Sequence, residues 1–528
     1  MKRNIFRWLR YVVSLLCFGL LVVTFSDWGS DLIEIDALRR LGMKLTHLQF
    51  IPALLSVSMG VVVGILVLTL LFGRLYCSTL CPLGTLQDGV NWARKRRDKK
   101  SALRFGFHKP NRWMRYGVLA AAVGFVAAGI GVGVALLDPY SIFGRIIYEG
   151  FRPLVQGVNN LFALFMGDWF GREPITVSWL SFAVALVMMI IIGVLAWLKG
   201  RRYCTAWCPV GTLLGEVSRF ALVKVEINTD KCSSCGVCGR KCKAEAIDTA
   251  NHRVDPTRCV VCFDCIDDCS QGAISFGVGG GSVGLKSSNA KADDKQAGVS
   301  RKAFISTVAA FASLPALQAQ KRARHAEQAM QQGGHGQGGQ GGHGGGHGGG
   351  HGEGGGSGAH KQGPRPIAPA GVGSIANLQA KCTGCNLCIS KCPTHVLQPA
   401  VWEYGLQGIM QPTLKFDKGY CLYDCTLCGE VCPTGAIKLL GREQKKMTRL
   451  GHAIFRKDKC VITTDNRECG NCAEHCPAEA IKMVRSAVDR KKYPQIEKAL
   501  CIGCGKCEYL CPAKPEKAIV VKGFSEHK

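Results

Sequence analysis

GRLYCSTLCPLGTLQ, residues 73–87, and GRRYCTAWCPVGTLLG, residues 200–215, decide how this chain is organised. The two stretches agree at Gly, Arg, Tyr, both Cys, Pro, Gly, Thr and Leu. Cys77 and Cys81 are four apart, as are Cys204 and Cys208, so each pair shares one face of a helical turn. Pro82 and Pro209 then break or restart the helix. Each copy follows strongly apolar sequence. Leu48–Phe72, Tyr116–Leu137 and Trp179–Leu198 carry no charge and reach the roughly 20 residues that a helix needs to cross a bilayer. Tyr11–Phe25 is shorter, but Phe6, Trp8 and Leu9 extend it, and Arg7 and Arg10 can snorkel to head groups. Cys17 lies within that run and reads as core. The pattern predicts four spans in two hairpins, a parallel repeat with a thiol pair ending each half.

Charge sets the expected orientation. Lys and Arg exceed Asp and Glu by 28 over 528 residues. The start MKRNIFRWLR is basic, and residues 91–115 include RKRRDKK, whereas 138–177 hold only Arg145, Arg152 and Arg172. By the bias of Lys and Arg toward the inner side, the N-terminus, the 91–115 loop and the segment after the fourth span face the cytoplasm. The basic residues flank spans and do not line one soluble face, so no nucleic-acid partner is expected. The chain reads as a multi-pass protein of a bacterial inner membrane, in contact with lipid.

The four membrane thiols, Cys77, Cys81, Cys204 and Cys208, suffice for one further metal or cluster if the hairpins converge. Dithiol chemistry within each pair is the other option. Of the 29 cysteines, 24 fall in six motifs. CSSCGVCGRKC holds Cys232, Cys235, Cys238 and Cys242. CVVCFDCIDDC holds Cys259, Cys262, Cys265 and Cys269. CTGCNLCISKC holds Cys382, Cys385, Cys388 and Cys392. CLYDCTLCGEVC holds Cys421, Cys425, Cys428 and Cys432. CVITTDNRECGNCAEHC holds Cys460, Cys469, Cys472 and Cys476. CIGCGKCEYLC holds Cys501, Cys504, Cys507 and Cys511.

Three thiolates at this spacing wrap one corner of a cubane, and the fourth ligates the neighbouring cluster. Six [4Fe-4S] clusters are therefore expected. Zinc would suit paired C-x2-C, but not a third Cys at x2 and a fourth at x3 repeated along the chain. In the first pair, Cys232, Cys235 and Cys238 are expected with Cys269, and Cys259, Cys262 and Cys265 with Cys242. Among the last four motifs, neighbours could pair or the first could pair with the last.

The expected fold is an α-helical membrane domain of four transmembrane helices (1–220) joined to α+β bacterial-ferredoxin-like [4Fe-4S] domains at 221–278 and 374–528. Residues 279–298 read as a linker. In 299–320, SRKAFI resembles a twin-arginine export signal with Lys302 in the second Arg position, or forms an anchor helix. Residues 321–373, Gly-rich with five His from His335 to His360, read as a flexible tether.

Residues 1–278 resemble the NapH-type membrane ferredoxins, with four spans, two Y-C-x3-C-P motifs and two cluster motifs. The part from Ser300 resembles the NapG-type four-cluster periplasmic ferredoxins, so the chain looks like a fusion of the two. The membrane motif is also similar to that of polyferredoxins tied to nitrous oxide reductase and cytochrome oxidase assembly. The resemblance implies a quinol dehydrogenase fed by the membrane quinol pool, passing electrons to a periplasmic cytochrome or molybdenum reductase of the nitrate-reductase type. It also implies a periplasmic C-terminal domain. The alternative is a redox maturation factor for a partner metalloenzyme. The sequence carries no nucleotide-binding motif that would offer another donor. Quinol oxidation needs groups that take protons near lipid; Asp138, Tyr140 and Arg145, at the outer end of the third span, are the candidates.

Overall fold

The computed structural model describes residues 5–26, 36–97, 105–109, 111–165, 177–278, 365–487 and 489–528. The export-like segment at 300–305, the linker 279–298 and the His residues from His335 to His360 lie outside them. The chain up to Gln296 and from Pro366 onward forms one compact unit.

Two of the four apolar runs form single long helices, α1 (Ile5–Ser26) and α11 (Trp179–Lys199), each long and apolar enough to cross a membrane. The other two are broken, which corrects the expectation of four unbroken spans. The run Leu48–Phe72 divides into α3 (Phe50–Leu55) and α4 (Met59–Phe72). Val57 between them takes a left-handed φ of 61°, where a helix cannot continue. The run Tyr116–Leu137 divides into α7 (Arg112–Ala128) and α8 (Gly131–Leu137), because Gly129 ends α7 in the left-handed conformation.

Asp138 then caps α9 (Pro139–Arg145), accepting from the Tyr140 and Ser141 amides at 3.3 and 3.0 Å. A π-helical turn (Ile146–Phe151) leads into α10 (Arg152–Phe165). The outer flanks of the long helices stay apolar and exposed, among them Leu15 and Leu16 on α1 and Val187 and Ile190 on α11.

Two cysteine-rich domains sit at opposite ends of α1. The first is closed by antiparallel pairing of β1 (Val223–Ile227) with β4 (Ile274–Val278), register Val225 to Phe276, around a short β2–β3 hairpin (Ile247–Asp248, Arg253–Val254). It meets the start of α1, where Arg7 pairs with Asp267 at 3.3 Å and the Phe6 and Phe263 rings lie 5.8 Å apart. Described residues of the basic 91–115 stretch are at the same end: the Phe105 amide donates to the Arg240 carbonyl and the Arg258 guanidinium to the His108 carbonyl.

The second domain holds β5–β6 (Leu397–Pro399, Pro412–Leu414), and β8–β9 (Ile481–Arg485, Lys492–Ile496). In addition, β7 (Gly451–Phe455) is joined to β10 (Ile519–Gly523). It comes to the other end of α1, where the Cys385 carbonyl and the Phe25 ring both lie against Gly144. Gly131 and Gly144 let its first loop come close; a Cβ on either would stand 2.4–2.7 Å from a carbonyl oxygen of Gln379, Cys382 or Cys385. At 22 residues, α1 is about 33 Å long. The second domain starts earlier than 374: Ile367, Ala368 and Val372 are buried, and Ile367 bridges to Leu414.

Candidate metal centres

The four regular motifs share one backbone. In each, the residue before the second Cys and the residue after it are left-handed. These are Ser234 and Gly236, Val261 and Phe263, Gly384 and Asn386, and Gly503 and Gly505. A β-branched or aromatic residue rarely accepts that region, so Val261 and Phe263 hold strain that the loop imposes. Such a loop curls its amides inward around three sulfurs. The fourth cysteines are shaped too. The residue three positions after Cys242, Cys269, Cys392, Cys432 and Cys476 is again left-handed. The Ala246 and Ala480 amides point at the Cys242 and Cys476 sulfurs at 3.4 and 3.3 Å. Amides directed at sulfur stabilise thiolate and tune cluster potential.

The structure brings the thiols together as six sets. Cys232, Cys235, Cys238 and Cys269 line one cavity. Cys242 lies within electrostatic reach of Cys259 and Cys265. In the second domain neighbours join: Cys432 with Cys382, Cys385 and Cys388, and Cys392 with Cys421, Cys425 and Cys428, the latter around a second cavity. Cys476 joins Cys501, Cys504 and Cys507, and Cys511 joins Cys460 and Cys469.

Burial pushes the Cys385 thiol up to about 12 and the Cys262 thiol to about 11, so these sulfurs become anionic only with a positive partner. Among the described residues no three His, Cys, Asp or Glu side chains stand close enough to hold one ion.

Cys77, Cys81, Cys204 and Cys208, all buried, come within electrostatic reach of one another between the two repeats. The shared residues explain themselves here. Gly73 and Gly200 end the preceding helices at φ 72° and 69°. Arg74 donates to the Cys204 carbonyl and Arg201 to the Cys77 carbonyl, both at 2.8 Å, so each repeat ties down the other's first cysteine. Pro82 and Pro209 start α6 (Pro82–Arg97) and α12 (Pro209–Ser218), and the Cys208 sulfur caps α12 by accepting from the Gly211 amide. The helix N-terminus favours a thiolate there, but burial outweighs it and pushes the Cys208 thiol well up.

Arg74 is fully buried, with no carboxylate at ion-pair distance among the described residues; its donors go to Thr257, Cys204 and the Cys77 sulfur. A buried cation without counter-charge is costly, and four thiolates on a metal or cluster supply that charge. The site therefore fits an anionic thiolate centre.

Gly84 and Gly211 let α6 and α12 press on those carbonyls. A Cβ on Gly211 would stand 2.1 Å from the Cys204 oxygen, and one on Gly84 2.4 Å from the Cys77 oxygen. Gly211→Ala is expected to cost ~1–3 kcal/mol through forced backbone movement, read as a lower melting temperature in detergent. An unchanged melt would show that the repeats pack more loosely.

Residues 55–101 and 181–228, one stretch in each repeat, match a sequence family described as a 4Fe-4S binding domain. Residues 381–462 and 467–514 match a 4Fe-4S dicluster domain. The chain is 26% identical over 42% of its length to the putative electron transport protein YccM of Escherichia coli, covering 55% of that protein. It is 27% identical over 28% of its length to the E. coli ferredoxin-type protein NapF, covering 80% of it. It is 27% identical over 35% of its length to the methylamine utilization ferredoxin-type protein MauN of Paracoccus denitrificans, covering 55%. An uncharacterized protein of Methanocaldococcus jannaschii is 33% identical over 18% of the chain, which spans 38% of that relative. No solved structure matches. Its homologues are ferredoxin-type electron-transport proteins carrying 4Fe-4S domains.

Along the chain the thiol sets follow one another. Arg201 is within electrostatic reach of both Cys262 and Cys204. Tyr203 reaches from Cys204 and Cys208 to Asp138, and Asp138 lies within reach of Cys385. In the second domain Cys388 reaches Cys428, Cys421 reaches Cys504, and Cys507 reaches Cys472.

Two of the three sequence-named quinol candidates are otherwise engaged. Both carboxylate oxygens of Asp138 are spent on the α9 cap and the Ser141 hydroxyl. Arg145 donates to the Ala135, Thr383 and Gly384 carbonyls, docking the second domain. Tyr140 is buried, and among the described residues its hydroxyl makes no hydrogen bond of ordinary geometry, with Thr46 beside it. Sequence reasoning passed over two carboxylates, Asp88 and Glu149, which belong to no motif; tertiary approach buries Glu149 and half-buries Asp88.

Proposed function

We propose that this protein is a membrane-anchored iron–sulfur conductor, taking electrons from quinol in the bilayer and delivering them to a reductase on the outer side. The observation that supports it is that Arg201, and Tyr203 together with Asp138, lie within electrostatic reach of both the buried quartet and a thiol set on either side of it, that of Cys262 and that of Cys385. Iron–sulfur clusters, when bound, supply one-electron carriage. The chain's own residues space the thiolate cages, wall them from water and direct amides at their sulfurs.

Two long apolar helices with exposed apolar flanks support membrane anchoring. The broken runs can complete the reading of four spans, since interrupted helices are tolerated where protein covers them. The basic 91–115 loop beside the first domain supports a cytoplasmic side for that domain, which sets the C-terminal domain in the periplasm of a bacterial inner membrane. Six [4Fe-4S] clusters and a seventh centre at the quartet are the proposed cofactors. The proposed outer acceptor is a cytochrome or molybdenum reductase of the nitrate-reductase type, in keeping with a NapH–NapG-like fusion.

The test is anaerobic. Decylubiquinol added to the purified protein in lipid vesicles is expected to reduce the clusters, bleaching the visible absorbance and raising electron paramagnetic resonance (EPR) signals. Clusters that dithionite reduces but quinol does not would overturn the reading in favour of a maturation factor, as would a cytoplasmic reporter signal from a fusion after Lys528.

A further inference from the structure

Glu149 lies on the π-helical turn, 1% exposed. Its Oε1 accepts from the Asn386 amide at 3.4 Å, and Ser181 near the start of α11 shares that donor at 3.4 Å. Its Oε2 makes no hydrogen bond of ordinary geometry among the described residues, although Ser181 and the Ser178 amide lie close to the carboxyl. Two other buried atoms in the same place are also unpartnered, Arg152 Nε and Asn386 Oδ1. Buried polar groups are nearly always satisfied, so three orphans together mark a place where something else binds. π-Turns recur at functional sites. Asn386 is the left-handed residue between Cys385 and Cys388, so the carboxylate stands one residue from a cluster cage. The flank is apolar: Phe151 is 40% exposed and Trp179 80%.

We propose that Glu149 accepts the protons of a quinol-oxidising site formed where the π-helical turn, the start of α11 and the Cys385–Cys388 loop meet. This rests on the function proposed above. A quinol enters from the lipid side past Phe151. Its first O–H bond breaks; the proton goes to Glu149 Oε2, and the electron would go to the one-electron acceptor that Cys382, Cys385, Cys388 and Cys432 would hold. Glu149 releases that proton to water on the outer side, and the electron moves to the next cage. The second O–H bond then breaks in the same way. Quinol becomes quinone, two one-electron acceptors are reduced, and two protons leave. Arg152 stabilises the carboxylate form, and Asn386 and Ser181 fix its orientation. Burial raises the Glu149 carboxyl to about 7, against the Ser181 hydrogen bond, which suits a base working near neutrality.

The experiment uses the full chain in vesicles with decylubiquinol as reductant and an azido-ubiquinone photolabel. Glu149→Gln is expected to slow quinol-driven reduction by ~100- to 10,000-fold. Its dithionite-reduced EPR spectrum should be unchanged, and the label should still map to residues 146–152 and 179–186. Reduction of Glu149→Gln at the wild-type rate, or a label mapping elsewhere, overturns the proposal. Should Glu149→Gln lose the outer clusters, Glu149→Asp decides: recovered spectrum with partial rate supports it, and no gain over Gln overturns it. A wild-type protein that quinol never reduces defeats the function itself, a result distinct from any of these.

Discussion

Replacing Cys77 and Cys204 together by Ser is expected to stop electrons passing between the two cysteine-rich domains while leaving both domains loaded. The argument begins with position. The four thiols lie between the repeats, with Arg201 joining them to the Cys262 side and Tyr203 and Asp138 joining them to the Cys385 side. Without a centre there, one transfer must cover most of the roughly 33 Å along α1. The charge argument agrees, because buried Arg74 has only carbonyls and the Cys77 sulfur as partners.

Serine keeps the size and polarity of the side chain but is a poor ligand for a soft metal. Iron and acid-labile sulfide should each fall by one cluster's content per chain. Electrons supplied at the first domain should then reduce the second slower by orders of magnitude, followed by EPR. Unchanged iron with unchanged transfer would mean that the quartet is a packing device. Unchanged iron with lost transfer would point to dithiol chemistry.

Much of this site was legible because its residues answer local demands. A Cys before Pro at the start of a helix, a Gly that ends a helix and a Gly under a carbonyl all leave fixed spacing, and duplication doubles the signal. The ligand sets of the first domain follow from spacing as well, and the structure brings together the same thiols. In the second domain the neighbouring motifs join, a choice made by strand pairing such as β7 with β10, which spacing alone does not encode.

The breaks at Val57 and Gly129 were hidden because continuous hydropathy says nothing about φ; Val57 in particular is an unlikely left-handed residue. Val261 and Phe263 were hidden for the same reason, whereas Gly236, Gly384, Gly503 and Gly505 announced their positions. Glu149 could not be found in sequence at all. A lone carboxylate in a connecting segment becomes significant only when Asn386, far along the chain, closes over it.

Asp88→Asn is expected to destabilise the protein by ~3–5 kcal/mol, the cost of removing one partner from a buried ionic group. Asp88 accepts from Arg201 twice, at 2.8 and 2.7 Å, from Lys243 at 3.1 Å and from Arg10 at 3.1 Å. It therefore fastens the first helix, the second repeat and the first cysteine-rich domain at one point. Arg201 is 0% exposed and Arg10 2%. Lys243 keeps a second carboxylate, Asp264, at 3.0 Å, but neither arginine has another at ion-pair distance among the described residues. Asparagine fits the space yet leaves both charges buried and uncompensated.

Burial alone would raise the Asp88 carboxyl, but the Arg201, Lys243 and Arg10 charges outweigh it and hold it well below the usual carboxylate range. A carboxylate depressed on folding contributes stability in full above its unfolded value, about 3.9. That contribution fades as pH falls below it. The wild-type advantage over Asp88→Asn should therefore be constant from pH 8 to pH 5 and shrink only in stronger acid. Melting in detergent across that range measures it, with Glu443→Gln as control, since Glu443 pairs with Lys446 on an open surface. Equal melting of Asp88→Asn and wild type at pH 7 would mean that the three cations are held by something other than this carboxylate, and that the first domain is not anchored through it.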